Sequence, residues 1–319
     1  MYNEEIKTAF LNEKAKTIAE ANSYLVIFKS TDEYETKYNT DLCNMDFNQY
    51  EEMLKCVGGV RKGYNDLIIN HINHYKLWCS THGMSVSDID LRTIQFGEDK
   101  FKKHMLISPA HLENALDEMF DKVEDKTNDS VIRAAIWLMY SGVRPREIKN
   151  IKKSDIDLNT MWIYHNDRKY PIYRQAAECF HFCKTTNEFV YNHPKYNSVY
   201  KDRFSSNLLL SSTKGVMSDV TLNTAIGRRK NKIKNSGNEL KIDINSEHTW
   251  LSGVFFRARE TEQITKIEEN FTSCAEELMM ERTDGKGYSI GKNKIESVIN
   301  KKARAIKESY MMWKNLINN

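Results

Sequence analysis

SGVRPREIKN, residues 141–150, is the segment on which the interpretation of this 319-residue chain turns. It closes a strongly apolar helical pattern over 128–141, carried by Ile132, Ala135, Ile136 and Met139, and Gly142 is a natural stop. A guanidinium, Arg144, follows at once, with Arg146 and Glu147 behind it. Next come an acidic turn, Asp155-Ile156-Asp157, and the strongest strand signal in the chain, TMWIYHNDRKYPIYR from Thr160. Its two runs, Met161 to Tyr164 and Tyr170 to Tyr173, flank a turn rich in His, Asn and Asp, which predicts a hairpin.

Working outward, Ser108-Pro109 predicts a helix start, a cap residue followed by proline in the first turn, with Leu112, Ala115, Leu116 and Met119 facing inward. Asp90 to Met105 has weak periodicity and a glycine, and reads as a linker. Before it, a helix is expected over 2–29. A second is capped by Asp46 with Gln49 in a capping box and carries Tyr50, Met53, Leu54 and Val57 to a stop at Gly58-Gly59. A third spans 62–80, with Tyr64, Leu67, Ile68, Ile72, Tyr75 and Trp78 on one side. Beyond the hairpin, helices are expected near 174–186, 201–210, 219–234, 247–263 and 264–282. Loops at 235–238 and 283–287 separate them, and a basic helix ends the series at 291–316. The expected fold is mainly α with a small β-sheet: a helical domain over 1–92, a linker over 93–107 and a second domain over 108–319.

The net charge of +3 hides an asymmetry. Residues 1–60 hold six basic against eleven acidic groups, 201–240 hold eight against three, and 286–307 hold seven against one. A basic C-terminal half suits a nucleic-acid partner, though a solvated lysine-rich surface would look the same. The start of the chain has no signal-peptide pattern, and no run approaches the ~20 apolar residues of a membrane span. A cytoplasmic protein is expected, nucleoid-associated when bound to DNA, with its six cysteines as core thiols. Cys179 and Cys183 sit one helical turn apart around His181, but no second pair lies at ligand spacing, so no metal and no cofactor are expected.

The order of these elements, with Ser141-Gly142-Val143-Arg144 and Glu147 at its centre, resembles the tyrosine recombinase family of phage integrases, and the N-terminal bundle resembles that family's core-binding domain. The resemblance implies a two-domain grip on duplex DNA. It also implies that Arg144 is the first of two arginines that neutralise the pentacoordinate phosphate, and that Lys169, beside Arg168, is the hairpin lysine. His248 in Ser246-Glu247-His248-Thr249-Trp250-Leu251 takes the histidine position of a His-x-x-Arg box. Leu251 then stands at the arginine position, where leucine cannot donate a charged hydrogen bond to phosphate. Arg257 and Arg259 lie two or more helical turns further on. Tyr288 and Tyr310 are the candidate nucleophile equivalents. Ordinary roles stand beside these: an Arg144–Glu147 ion pair, a solvent-facing turn lysine, a capping or surface histidine, and apolar packing for Tyr310.

The chain is therefore expected to be a degenerate, non-catalytic member, similar to the master lysogeny repressors of SPβ-type Bacillus prophages. That would make it a sequence-specific DNA-binding repressor, partnered by operator DNA and by a phage-encoded regulator or antirepressor. An active divergent recombinase, or a phage interaction protein that does not bind DNA, are the alternatives. Candidate DNA contacts are Arg144, Arg168, Lys169, Lys214, Arg228, Arg229, Lys230, Lys232, Lys234, Lys292 and Lys294, followed by Lys301, Lys302, Arg304 and Lys307. Thr221, Asn223 and Thr224 are candidate base readers.

Overall fold

The computed structural model describes residues 1–59, 62–94, 96–120, 126–186, 188–193, 196–201, 207–212, 215–217, 219–238, 240–265, 271, 274–276 and 292–318. It is mainly helical with a three-stranded sheet and two small hairpins, the expected class. The chain divides into two units, Met1–Lys102 with Asn270–Met312, and Lys103–Glu269 with Trp313–Asn319.

The first unit holds α1 (Glu4–Lys14), α2 (Ile18–Tyr38), α3 (Phe47–Val57) and α4 (Lys62–Thr81). One helix was expected over 2–29 and two are present. Thr17 Oγ1 accepts from Glu20 N at 3.1 Å, and the Glu20 carboxylate accepts from Lys16 N at 2.9 Å, so the chain re-caps and restarts. The Asp46–Gln49 capping box forms as expected, both bonds at 2.9 Å. Phe10 lies at the core centre, edge-on to Tyr24, Phe28, Tyr75 and Trp78 at 5.0–5.9 Å. Leu67, expected inside, is exposed. Lys7 and Glu35 form an ion pair that is wholly buried, and the carboxylate also accepts from Thr31 Oγ1 and Leu42 N. Burial pushes the Glu35 carboxyl up from its ordinary range and Lys7 draws it back.

Within 93–107 lies α5 (Glu98–His104), and Phe101, Met105 and Leu106 are buried. In the second unit Ser108 Oγ caps α6 (Pro109–Met119) by accepting from His111 N, and the four predicted inward residues are buried. Every residue of α7 (Lys126–Ser141) from Val131 to Tyr140 except Arg133 is buried, which makes it the central helix of its unit.

Strands β1 (Ile156–Asp157), β2 (Trp162–His165) and β3 (Arg168–Pro171) form an antiparallel sheet in that order. Asn166 and Asp167 both take positive φ (49° and 58°), the backbone of a two-residue hairpin turn that these side chains tolerate. Helix α8 (Ala177–Thr185) follows as expected. The hairpin of β4 (Glu188–His193) and β5 (Tyr196–Lys201) was not expected. Of the helix expected over 201–210, residues 202–206 lie outside the described residues and the described ones are not helical. Lys201 ends β5, and Asn207 to Leu209 pair in extended form with Ile151 to Lys153 through bonds of 2.8 Å. A short hairpin, β6 (Ser211–Ser212) with β7 (Gly215–Val216), precedes α9 (Asp219–Asn235), α10 (Ser246–Thr265) and α11 (Lys292–Asn318). Most of the helix expected over 264–282 lies outside the described residues.

Candidate nucleic-acid interface

The arginine box is built where α10 crosses the end of α7. A Cβ placed on Gly253 would sit 1.8 Å from the Tyr140 carbonyl oxygen, so only glycine permits this approach. The crossing satisfies carbonyls that the end of α7 leaves open. Trp250 Nε1 donates to Gly142 O at 3.1 Å and Arg257 Nη1 donates to Tyr140 O at 2.7 Å. Gly142 turns the chain at φ 114°, and a Cβ there would meet the Arg257 guanidinium at 2.7 Å and the Tyr170 ring at 3.1 Å. Arg257, set aside from the sequence because of its distance along the helix, therefore lies beside the box in space. It sits one helical turn past the crossing point.

Arg144 is half-buried, and its carbonyl accepts from Glu147 N and Ile148 N, which starts the following 3-10 turn. Leu251 is buried, 7% exposed, among the apolar residues of α10. Trp137, Tyr140, Tyr173 and Phe256 form an aromatic cluster behind the box, with ring centroids 5.4–6.2 Å apart. Burial raises the Tyr140 phenol far above its ordinary range. It raises Tyr173 as well, where the Arg257 charge partly opposes it.

The other residues that the resemblance singled out have the following surroundings. Asn245 Oδ1 accepts from His248 N at 2.9 Å, which turns the Asn245 amide nitrogen toward His248 Nδ1 at 2.7 Å. The histidine thus helps close the N-terminus of α10, and the neutral ring keeps its proton on Nε2. Its ring packs 5.0 Å from His104, which pairs with Asp243. Lys169 is exposed on β3 opposite Tyr164, with Nζ 3.9 Å from the centre of the Trp162 ring. Arg168 faces His165 across the turn and is also exposed. Tyr310 is fully buried on α11, 5.2 Å from the ring of Phe271. Tyr288 and Lys214 lie outside the described residues, as do the side chains of Lys292 and Lys294. Lys301, Arg304 and Lys307 are exposed on α11 and Lys302 is half-buried. Cys179 and Cys183 are buried thiols, Cys183 pushed up to about 12 by burial and Cys179 raised by the same cause.

Helix α9 divides its cations. Leu222, Ile226, Arg229 and Ile233, at spacings of four, three and four, form the inward row. Arg229 ends on Asp129 of α7, whose side chain is 4% exposed, and lies over the Phe120 ring. Lys230 pairs with Asp243. On the opposite face Thr221, Thr224, Arg228 and Lys232 follow at spacings of three, four and four, and all are exposed. Asn223 and Lys234 are exposed too, and Asn223 Oδ1 accepts from Ser246 Oγ at 2.6 Å. Two of the five basic residues predicted to meet phosphate on this helix are thus held by acids of the same unit.

Residues 1–81, 81 of the 319, match the protein family described as MrpR, N-terminal core-binding domain. No curated protein matches the chain. Among solved structures the chain is similar to XerA recombinase, at 17% identity over 83% of this chain and 89% of that one, with a TM-score of 0.34. It is also similar to the Tn1549 transposon integrase. In complex with transposon right end DNA the figures are 14% identity, 88% and 99% coverage and a TM-score of 0.36. In complex with a circular intermediate DNA they are 14%, 95% and 98%, and 0.36. Among the described residues no helix is long and apolar enough to cross a membrane.

Proposed function

We propose that this protein is a sequence-specific DNA-binding repressor of a prophage, built on an integrase-type scaffold and without recombinase activity. The observation that carries the reading is Leu251. At the second arginine position of the histidine box it offers a buried alkyl group where phosphate transfer needs a charged donor, and losing one such donor typically slows a reaction about 100- to 1,000-fold. The nearest guanidinium, that of Arg257, donates Nη1 to the Tyr140 carbonyl at 2.7 Å. The match of residues 1–81 to a core-binding domain supports a DNA-facing first unit.

DNA binding itself needs only a suitable surface. Arg228 and Lys232 neutralise phosphates along a groove and release counterions. Thr221 and Thr224 on the same face, and Asn223 beside them, reach base edges. Because Ser246 occupies Asn223 Oδ1, its amide nitrogen is left to donate. Arg144, Arg168 and Lys169 add contacts that position the backbone without reading sequence. Operator occupancy then silences transcription.

The test is to capture fragments of phage and host DNA on the purified full chain, sequence them, and titrate the best fragment by mobility shift across salt. A specific complex should form, its affinity falling with salt by a log–log slope of about −0.9 per phosphate contacted. No complex even at low salt would leave the interaction-protein reading in its place.

A further inference from the structure

We propose that Asp41, Cys43 and Cys79 form a binding site for one soft divalent cation of the Zn2+ type, which fastens the loop between α2 and α3 to the end of α4. The inference does not depend on the DNA reading. One carboxylate oxygen and the two sulfurs lie within 4.8 Å of one another. Around a tetrahedral zinc with Zn–S bonds near 2.3 Å, neighbouring ligand atoms sit roughly 3.7 Å apart, so small side-chain rotations bring all three onto one centre.

The surroundings fit a ligand set more closely than a chance meeting of thiols. Asn3 Nδ2 and Tyr75 OH donate to Asp41 Oδ2 at 2.8 and 3.2 Å, and Cys43 N donates to Oδ1 at 3.0 Å. These bonds fix the carboxylate, the kind of outer support that orients metal-binding carboxylates; they occupy both lone pairs of Oδ2 and leave one on Oδ1, which is the oxygen that meets the ion. The Cys43 thiol donates to Ser85 O at 3.6 Å, a bond given up when the thiolate forms on the ion. The loop is anchored on both sides of Cys43 by Leu42 and Met45, which are fully buried. Cys79, also fully buried, belongs to the last turn of α4. Asp41 is only half-buried, which gives an ion its entry and leaves a fourth position for water. Binding displaces one proton from each thiol. Thiolate donors favour Zn2+ over Mg2+ or Ca2+, which prefer all-oxygen shells.

The experiment uses the full chain, kept reduced with a phosphine, and Co2+ as the probe. Expected are a thiolate-to-cobalt charge-transfer band in the near ultraviolet and intense tetrahedral visible bands, saturating at one ion per chain and displaced by Zn2+. Cys43→Ser and Cys79→Ser should lose the charge-transfer band, whereas Cys56→Ser, at an exposed thiol, should keep it. Should the buried-site variants fail to fold, the unaltered chain still decides the matter. Zn2+, but not Mg2+, should raise its unfolding midpoint by mass action, with uptake of one ion per chain and release of thiol protons measured by calorimetry in buffers of different ionisation heat. No charge-transfer band in the unaltered chain, or a band that survives in both Cys43→Ser and Cys79→Ser or disappears in Cys56→Ser, overturns the proposal.

Discussion

At the α7–α10 crossing, Trp250 and Arg257 donate to the carbonyls of Gly142 and Tyr140. On the outer face of α9, Arg228 and Lys232 are exposed beside a row of threonines. Both regions hold cations that the sequence pattern could assign to phosphate. In the first, the guanidinium closes a helix end and supports the turn that carries Arg144. In the second, the inward cation Arg229 is consumed by Asp129 and the outward ones remain on the surface. A cation's place relative to the apolar row of its own helix therefore separates those held by acids of the fold from those exposed on the surface better than charge counts do. Substitutions at the crossing should change stability first and reach DNA affinity only through Arg144, whereas substitutions on the outer face of α9 should change DNA affinity and leave stability alone.

The largest effect is expected from Gly253→Ala. Its methyl group would be driven into the Tyr140 carbonyl, a backbone atom that cannot step aside, and the loss should be at least about 3 kcal/mol in denaturant unfolding. A tolerated alanine would break the comparison at its root, because the close crossing would be wrong. Arg229→Met comes next. It strands the buried Asp129 carboxylate and should cost about 3 kcal/mol, with the salt slope of DNA binding unchanged. A shallower slope would return Arg229 to the DNA-facing group. Arg257→Met removes one charge-assisted bond to a carbonyl and should cost about 2 kcal/mol. The smallest stability change belongs to the double variant Arg228→Ala with Lys232→Ala, within about 0.5 kcal/mol, while its salt slope flattens by about 2.

Much of this was legible in the sequence because it is local. Ser108-Pro109, the Asp46 capping box and the Asn166-Asp167 turn depend on neighbours a few residues away. So does Thr17, whose Oγ1 and the Glu20 carboxylate split the first helix, yet that cap passed unnoticed inside a run of helical spacing. The β4–β5 hairpin was missed although Phe189, Val190 and Tyr191 and then Val199 and Tyr200 supply strand-forming runs around His193-Pro194. The candidate site was harder. The Arg229–Asp129 pair joins residues 100 apart, and the contact of Arg257 with Tyr140 spans 117. No spacing rule reaches that far, and only the glycine that lets two helices touch decides which guanidinium ends up beside the box. The same limit hid Cys79 from Cys43.

The central claim, that this scaffold holds DNA and does not cut it, is tested most directly with the captured operator fragment made as a nicked suicide substrate, which traps any covalent tyrosyl–DNA intermediate. Incubated with the full chain under conditions where the mobility shift is complete, it should give no detergent-resistant adduct and be recovered intact. An adduct that disappears when Tyr288 or Tyr310 is replaced by phenylalanine would contradict the account outright.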